Sequence, residues 1–354
     1  VKHDGVYALL AAALFGASTP IAKILLGKEA PVLLAGLLYV GSGLGLGLIR
    51  LIRDRGWKSP QLPAGEWPWL LAAVLFGGVL GPIALLMGLQ QTTAATASLL
   101  LNLEAVLTAL IAWLIFKESA DKRLVLGMAV IVMGSLTLSW PAQPEATAQG
   151  VDLGLHFGLG PVLIGLACLC WAIDNNLTRK VSSSDALFIA GVKGWVAGSV
   201  NSLLALSLGL EWPAWPVVVS TLLLGLLGYG LSLVFFVLAL RGLGTARTGA
   251  YFSTAPFLGA LISVLWMGDS TSGVFWGAAL LMALGVWLHL SERHEHPHHH
   301  EALTHLHGHR HDEHHQHDHD FPWDGSEPHV HPHAHEEVTH QHPHYPDIHH
   351  RHTH

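Results

Sequence analysis

The chain has 354 residues, 51% of them hydrophobic and only 12% charged, with a mean hydropathy of +0.43, which excludes an ordinary soluble domain. Its formal charge of −7 resides at one end: residues 291–354 hold 12 of the 25 acidic residues, 3 of the 18 basic ones and 24 of the 27 histidines. The tail therefore carries −9 and the remaining chain, with 15 basic against 13 acidic residues, carries +2.

Apolar runs recur about every 29 residues from Tyr7 to Leu290, each near the roughly 20 residues that cross a hydrocarbon core. The pattern predicts ten helical spans, at 5–26, 31–52, 67–89, 93–116, 123–140, 159–178, 185–208, 215–240, 245–267 and 271–290. Lys2, His3 and Asp4 before the first run resemble a signal peptide, but no small-residue cleavage site precedes a polar domain and a second span follows at once. The first run is read as a membrane helix. Within it, Ser18, Thr19 and Pro20 predict an interruption, since proline removes a backbone hydrogen bond that must be replaced by a buried partner or by water in a cavity. A packing kink explains them equally well. Pro82 and Pro256 carry the same two readings.

Gly41, Gly43, Gly45 and Gly47 in the second span imitate a phosphate loop, but no strand precedes them and no Lys-Ser/Thr follows. Their i, i+4 spacing fits close helix contact. The fourth span carries one carboxylate, Glu104, about a dozen residues from either end. A charge at that depth costs several kcal/mol unless paired, protonated or facing water. Glu104 is thus expected to face a cavity and bind a cationic group or cycle a proton, with a structural bond to Asn102 or to a neighbouring helix as the bland alternative. Cys168 and Cys170, two residues apart on one helix, read as reduced packing residues. Asp174 and Lys193 overlap in depth in spans six and seven, so an ion pair is expected, either structural or acting as a gate. Asn175 and Asn176 extend the polar surface beside it. The segment Ala172-Ile173-Asp174 occupies in the second half the place of Ser18-Thr19-Pro20, offset by 155, so that Ser18, Thr19 and Asp174 could line opposite walls of one cavity.

Arg50, Arg53, Arg55, Lys58, Lys117, Lys122, Arg123, Arg179, Lys180, Arg241 and Arg247 all follow even-numbered spans, which puts both termini in the cytoplasm. Residues 141–158 form an external linker, and Trp67, Trp69, Trp140, Trp212, Trp215 and Trp287 mark span ends. The histidine tail is low-complexity and has too little apolar surface to fold unaided, so it is expected to be disordered. Its imidazoles, among them His298, His299, His300, His307, His309, His311, His314, His315, His317, His319, His331, His333 and His335, suit zinc, nickel, cobalt or copper as a loose multi-ion chelator. An incidental solvated tail, or a tail drawn to the anionic leaflet when its histidines are protonated, are the other readings.

Sliding the chain by 151 residues lays 89–134 on 240–285, matching Leu89 with Leu240, Ala95 with Ala246, Ala109 with Ala260, Leu110 with Leu261, Ser119 with Ser270 and Gly134 with Gly285, and placing Glu118 on Asp269. Five spans per unit, an odd number, turn the second copy upside down. The paired segments ASLLLNLEAVLTALIAWLIFKESA and GAYFSTAPFLGALISVLWMGDSTS, with ten spans and a break near residue 150, resemble the EamA-type permeases of the drug/metabolite transporter superfamily. The family pattern has a proline in this helix and Gly-Glu at its end. Here Ala105 stands against Pro256, and Lys117-Glu118 against Gly268-Asp269.

The resemblance implies an all-α polytopic protein of two inverted five-helix repeats, 5–140 and 159–290, around a central cavity. It implies a secondary transporter of the bacterial-type cytoplasmic membrane, exporting a small amino-acid-like or drug-like metabolite by alternating access; the histidine-rich composition of the tail, outside the resemblance, adds transition-metal control as an expectation. Efflux of a nickel, cobalt or zinc cation is the alternative, and a membrane metal sensor without transport is the second. The expected partners are the lipid bilayer, a small-molecule substrate, transition-metal ions and a second copy of the chain in a homodimer. No enzyme constellation, required cofactor or nucleic-acid partner is expected.

Overall fold

A computed structural model of the chain describes residues 2–27, 29–56, 62–115, 122–140, 150–152, 156–182 and 184–290, and four tail segments, 295–300, 303–309, 329–335 and 338–343. Ten apolar helices follow the predicted order: α1 (Lys2–Leu26), α2 (Pro31–Asp54), α3 (Ala64–Gln90), α4 (Ala94–Leu114), α5 (Lys122–Ser139), α6 (Leu159–Val181), α7 (Ala186–Ser207), α8 (Trp215–Leu240), α9 (Ala255–Met267) and α10 (Gly273–Leu288). The first eight are long and apolar enough to cross a membrane, and α9 and α10 are shorter apolar helices. Large apolar side chains stand outward, Trp215 at 76% exposure and Leu265 at 75%, as expected where the solvent is lipid.

The boundary between the eighth and ninth spans differs from expectation. The backbone is helical from Ser232 to Phe252 with no loop at 241–244. Yet the rings of Phe236 and Phe252 meet at 4.9 Å, whereas sixteen residues of straight helix would separate them by about 24 Å. The helical stretch therefore does not run straight from Phe236 to Phe252, and α9 beyond it packs on α1 and α4. The first helix is also corrected: α1 runs unbroken through Pro20. Ser18 Oγ donates to Phe15 O at 2.6 Å one turn back, and Gly259 of α9 packs so close that a Cβ on it would fall 2.7 Å from Gly16 O, the carbonyl four residues before the proline. Close packing covers the group that proline frees.

The two five-helix units show matching neighbours. Helices α2 and α7, α4 and α9, and α5 and α10 pair across the repeats; α6 packs on α3 and α4 as α1 packs on the chain of α8 and α9. At the α2/α7 crossing Gly43 meets Gly194, 151 residues on, and a Cβ on Gly43 would lie 2.6 Å from Trp195 N. The repeat extends to an irregularity of the backbone. Val74–Leu80 in α3 and Gly225–Leu231 in α8 are both π-helical, again 151 apart. Such segments widen a helix locally and release carbonyls from the regular ladder.

The linker contributes a short antiparallel pair, Gly150–Asp152 with His156–Gly158. Where composition predicts a tail unable to fold unaided, the backbone of Glu295–His300 pairs with Val338–Pro343 and that of Leu303–His309 with His329–His335. An alternating, β-tolerant sequence permits this, but a lone two-stranded ladder is marginal in water and adds no core. His311, His314, His315, His317 and His319 lie outside the described residues, as do Lys28, Lys58, Lys117, Glu118 and Ser119.

Candidate functional site

The widened turn of α3 is where the site begins. Gly77 O accepts hydrogen bonds from Tyr39 Oη of α2 at 2.6 Å and from Trp171 Nε1 of α6 at 3.0 Å, and Gly78 O accepts from Asn201 Nδ2 of α7 at 3.0 Å. Carbonyls in the π segment are thus satisfied by side chains of three other helices, as buried backbone groups must be. Gly77 is bare because the Asp174 carboxylate lies against its α-carbon, where a Cβ would collide. Gly228, its counterpart in α8, faces Ser18 of α1 in the same way.

Asp174 is buried and paired. Lys193 Nζ donates to Asp174 Oδ1 at 2.5 Å and to Thr178 Oγ1 at 2.8 Å, and Thr178 in turn donates to Asp174 at 2.8 Å. The expected ion pair between α6 and α7 is present, with a hydroxyl closing the triangle. Lys193 is 2% exposed, so its charge depends on this pairing.

Glu104 is held differently. Asn175 Nδ2 donates to Glu104 Oε1 at 2.8 Å and reaches Thr108 Oγ1 at 3.4 Å, while Asn176 donates to Thr108 O at 3.2 Å. Asn102 is not its partner: that amide is turned to Leu99 O at 2.9 Å and touches Met282 Sδ at 3.8 Å. The reason is helical. A break at Leu101 separates Ala94–Leu100 from Asn102–Leu114, and Asn102 and Glu104, two residues apart, leave the helix on different faces.

These groups share one cavity of about 70 Å³, lined by Glu104, Asp174, Asn175 and Lys193 and by six aromatic rings, Phe15, Tyr39, Trp171, Tyr229, Phe236 and Phe252. Four of the seven expected substrate or coupling residues therefore converge. Asn102, Ser18 and Thr19 do not line it: they are buried, Ser18 behind Gly228 and Thr19 with no hydrogen-bond partner for its hydroxyl among the described residues. The aromatic lining and the two π segments were not read from the sequence. Extending the 151-residue offset backwards would have laid Gly77 on Gly228 and marked both. Both cysteines are free and buried, as expected.

One end of the bundle is fastened. Lys23 Nζ of α1 donates to Leu89 O in the last turn of α3 and, at 3.0 Å, to Thr92 O just beyond its end. Asp269, just past α9, accepts from Ala95 N at 2.9 Å in the first turn of α4, where Thr93 Oγ1 also caps Thr96 N. A cation on terminal carbonyls and a carboxylate on initial amides both complement the helix ends they touch. Among the described residues, no group of three His, Cys, Asp or Glu side chains is placed to hold a metal ion.

Known proteins place this arrangement. An uncharacterized transporter of Methanothermobacter thermautotrophicus is 28% identical over 287 residues, 77% of this chain and 82% of that protein. The uncharacterized transporter YyaM of Bacillus subtilis is 26% identical over 275 residues, 74% of this chain and 86% of YyaM. A probable 4-amino-4-deoxy-L-arabinose-phosphoundecaprenol flippase subunit, ArnE of Pseudomonas aeruginosa, is 35% identical over 109 residues, 31% of this chain and 90% of ArnE. A solved crystal structure shares the fold with a TM-score of 0.61 at 19% identity, covering 80% of this chain and 95% of that one. The model of the EamA-like transporter family matches residues 5–140 and 158–291. With ten apolar helices among its described residues and both halves matched by that model, this chain is a membrane protein of the EamA-like transporter family.

Proposed function

We propose that the protein is a secondary-active exporter of a small metabolite, working by alternating access in a bacterial-type cytoplasmic membrane with both termini in the cytoplasm. The observation that carries this reading is Glu104. It is a carboxylate deep among apolar helices whose only described hydrogen-bond donor is the neutral amide of Asn175, beside an open volume. A membrane carboxylate without a countercharge is costly unless a proton or a ligand neutralises it. Glu104 therefore serves as the coupling or substrate-contacting group, and Asp174 with Lys193 sets the wall beside it. The fastening by Lys23 and Asp269 supports alternating access: it closes one end through contacts between helix ends that can part without disturbing the core.

Metal enters this reading only through the tail, where transition ions bound by the histidines regulate flux. Efflux of the cation itself would need ligands along the path. The likeness to ArnE favours a second reading, translocation of an amine-bearing head group.

The test is flux in proteoliposomes carrying the full chain, over a panel of metabolites, with Glu104→Gln beside it. The amide keeps a partner for Asn175, so folding is retained and flux is expected to fall at least tenfold. Unchanged flux removes Glu104 from the mechanism. Deleting residues 291–354 separates the tail: retained, metal-independent flux sinks both a tail-dependent metal pump and a pure sensor.

A further inference from the structure

We infer that the cavity selects small organic monocations, ammonium compounds without a carboxylate, with Glu104 as the counter-ion and an aromatic cage around the apolar part of the ligand. The inference rests on the transport reading and narrows its substrate.

Charge accounting comes first. The charged side chains among the described lining residues are Glu104, Asp174 and Lys193. Asp174 and Lys193 neutralise each other at 2.5 Å, with Thr178 Oγ1 accepting a further hydrogen bond from the lysine. That leaves one negative charge facing the space and no free cation. An amino acid brings an ammonium and a carboxylate, and its carboxylate would have to break the Lys193 pair or be buried without a partner, a cost of several kcal/mol. A monocation brings only what Glu104 lacks.

The rings supply the second half. Phe15 is the hub: its centroid lies 5.6 Å from Trp171, 6.1 Å from Tyr229 and 5.3 Å from Phe252, edge-on to the first two. Tyr39 and Tyr229 are 5.6 Å apart, and Phe236 closes on Phe252. Aromatic walls beside a carboxylate bind alkylammonium groups by their ring quadrupoles as well as by apolar contact. A polar atom is also at hand: the neighbouring Ser18 hydroxyl donates to Phe15 O, so the buried Tyr229 oxygen receives no hydrogen bond from it. It can accept from an N–H donor, and tertiary or primary ammonium ligands would satisfy it.

Size bounds the ligand. At 10–15 Å³ per water position, a cavity of about 70 Å³ holds roughly five waters, the room of a short amine.

The experiment compares isobutylamine, valine, isobutanol and tetramethylammonium, which share or approach one apolar skeleton and differ in charge. Binding to the full chain in nanodiscs is read by thermal shift and isothermal titration, and flux of the same probes is read in proteoliposomes. Isobutylamine and tetramethylammonium are expected to bind at least tenfold more tightly than valine or isobutanol. Glu104→Gln is expected to abolish that preference, Glu104→Asp to restore part of it, and Phe15→Leu to weaken both cations several-fold. Valine binding as tightly as isobutylamine, or cation binding that survives Glu104→Gln in a monodisperse protein, overturns the proposal. The two readings fail separately: cation binding without flux of any probe sinks transport and leaves the site standing, whereas Glu104-dependent flux of other metabolites alone sinks the cation selectivity and leaves transport standing.

Discussion

The two halves of the cavity are built on one plan and differ in charge. Each has a π-helical turn whose bare glycine receives a side chain from the first helix of the other repeat: Gly77 receives Asp174 of α6, and Gly228 receives Ser18 of α1. Carrying the 151-residue offset further, Lys193 falls on Ser42 and Glu104 on Ala255. Every charge of the site thus belongs to one half, and hydroxyls or a methyl occupy the other. Duplication supplied the scaffold twice, and the polarity that makes a binding site exists once. A symmetric site would place four carboxylates and two lysines in one small volume, with like charges meeting in a low dielectric. The asymmetry gives the cavity a single unneutralised group for a ligand to meet.

The sharpest way to break this comparison is to strand one charge of the charged half. Lys193→Ala leaves Asp174 buried against Gly77 with only Thr178 as donor, and is expected to cost about 3–5 kcal/mol in unfolding free energy. The matching change in the neutral half, Ser42→Ala, removes a buried hydroxyl and is expected to cost about 1 kcal/mol. Chemical denaturation in mixed micelles reads both. Joint replacement, Asp174→Leu with Lys193→Met, is expected to recover most of the loss, because a well-packed apolar pair replaces an ion pair with little penalty. A Lys193→Ala protein as stable as wild type would show that the ion pair adds nothing to the fold.

Much of the plan was legible in the sequence, and the parts that were not are tertiary. Membrane length fixes the ten apolar runs, and the positions of Glu104, Asp174 and Lys193 stand out because charges are rare at that depth. The pairing of Asp174 with Lys193 followed because their depths overlap. For Glu104 the sequence allows a partner at Asn102 or on a neighbouring helix, and choosing Asn175 requires knowing that α4 lies on α6 and that α4 breaks at Leu101. The lining rings were equally hidden, since Phe15, Tyr39, Trp171 and Tyr229 look like any membrane aromatics until four helices converge. Pro20 carries two readings in the sequence because a single proline looks alike whether its freed carbonyl meets water or a packed glycine, and the packed one is found here.

A smaller effect sharpens the comparison at the two glycines. A Cβ on Gly228 would lie 2.6 Å from Ser18 Cβ, and one on Gly77 would strike the Asp174 side chain. Both alanine substitutions are expected to cost about 1–3 kcal/mol by overpacking. Their functional effects should diverge. Gly77→Ala pushes Asp174 away from Lys193 and is expected to lower flux beyond what its stability loss explains, whereas Gly228→Ala moves only a hydroxyl. Equal losses of flux at equal stability would show that the charged half holds no privileged role.

The smallest effect concerns the fastened end, where the repeats again correspond: Lys23 matches Arg179 at an offset of 156, and Asp269 falls on Glu118. Asp269→Ala removes the acceptor of Ala95 N–H, but Thr93 still caps the helix through Thr96 N, so α4 keeps its start. What is lost is the tie between the end of α9 and the beginning of α4, about 1 kcal/mol for a cap at a helix N-terminus. If that tie holds one end of the transporter closed, the same 1 kcal/mol shifts the open population by roughly fivefold. The measurement is the labelling rate of a cysteine placed at Phe15, in a background of Cys168→Ala and Cys170→Ala, by a membrane-impermeant thiol reagent added from outside. Labelling is expected to rise about fivefold in Asp269→Ala. An unchanged rate with a lowered unfolding midpoint would make Asp269 a helix cap alone, and the closing of this end would then rest on Lys23 and the packed helices around it.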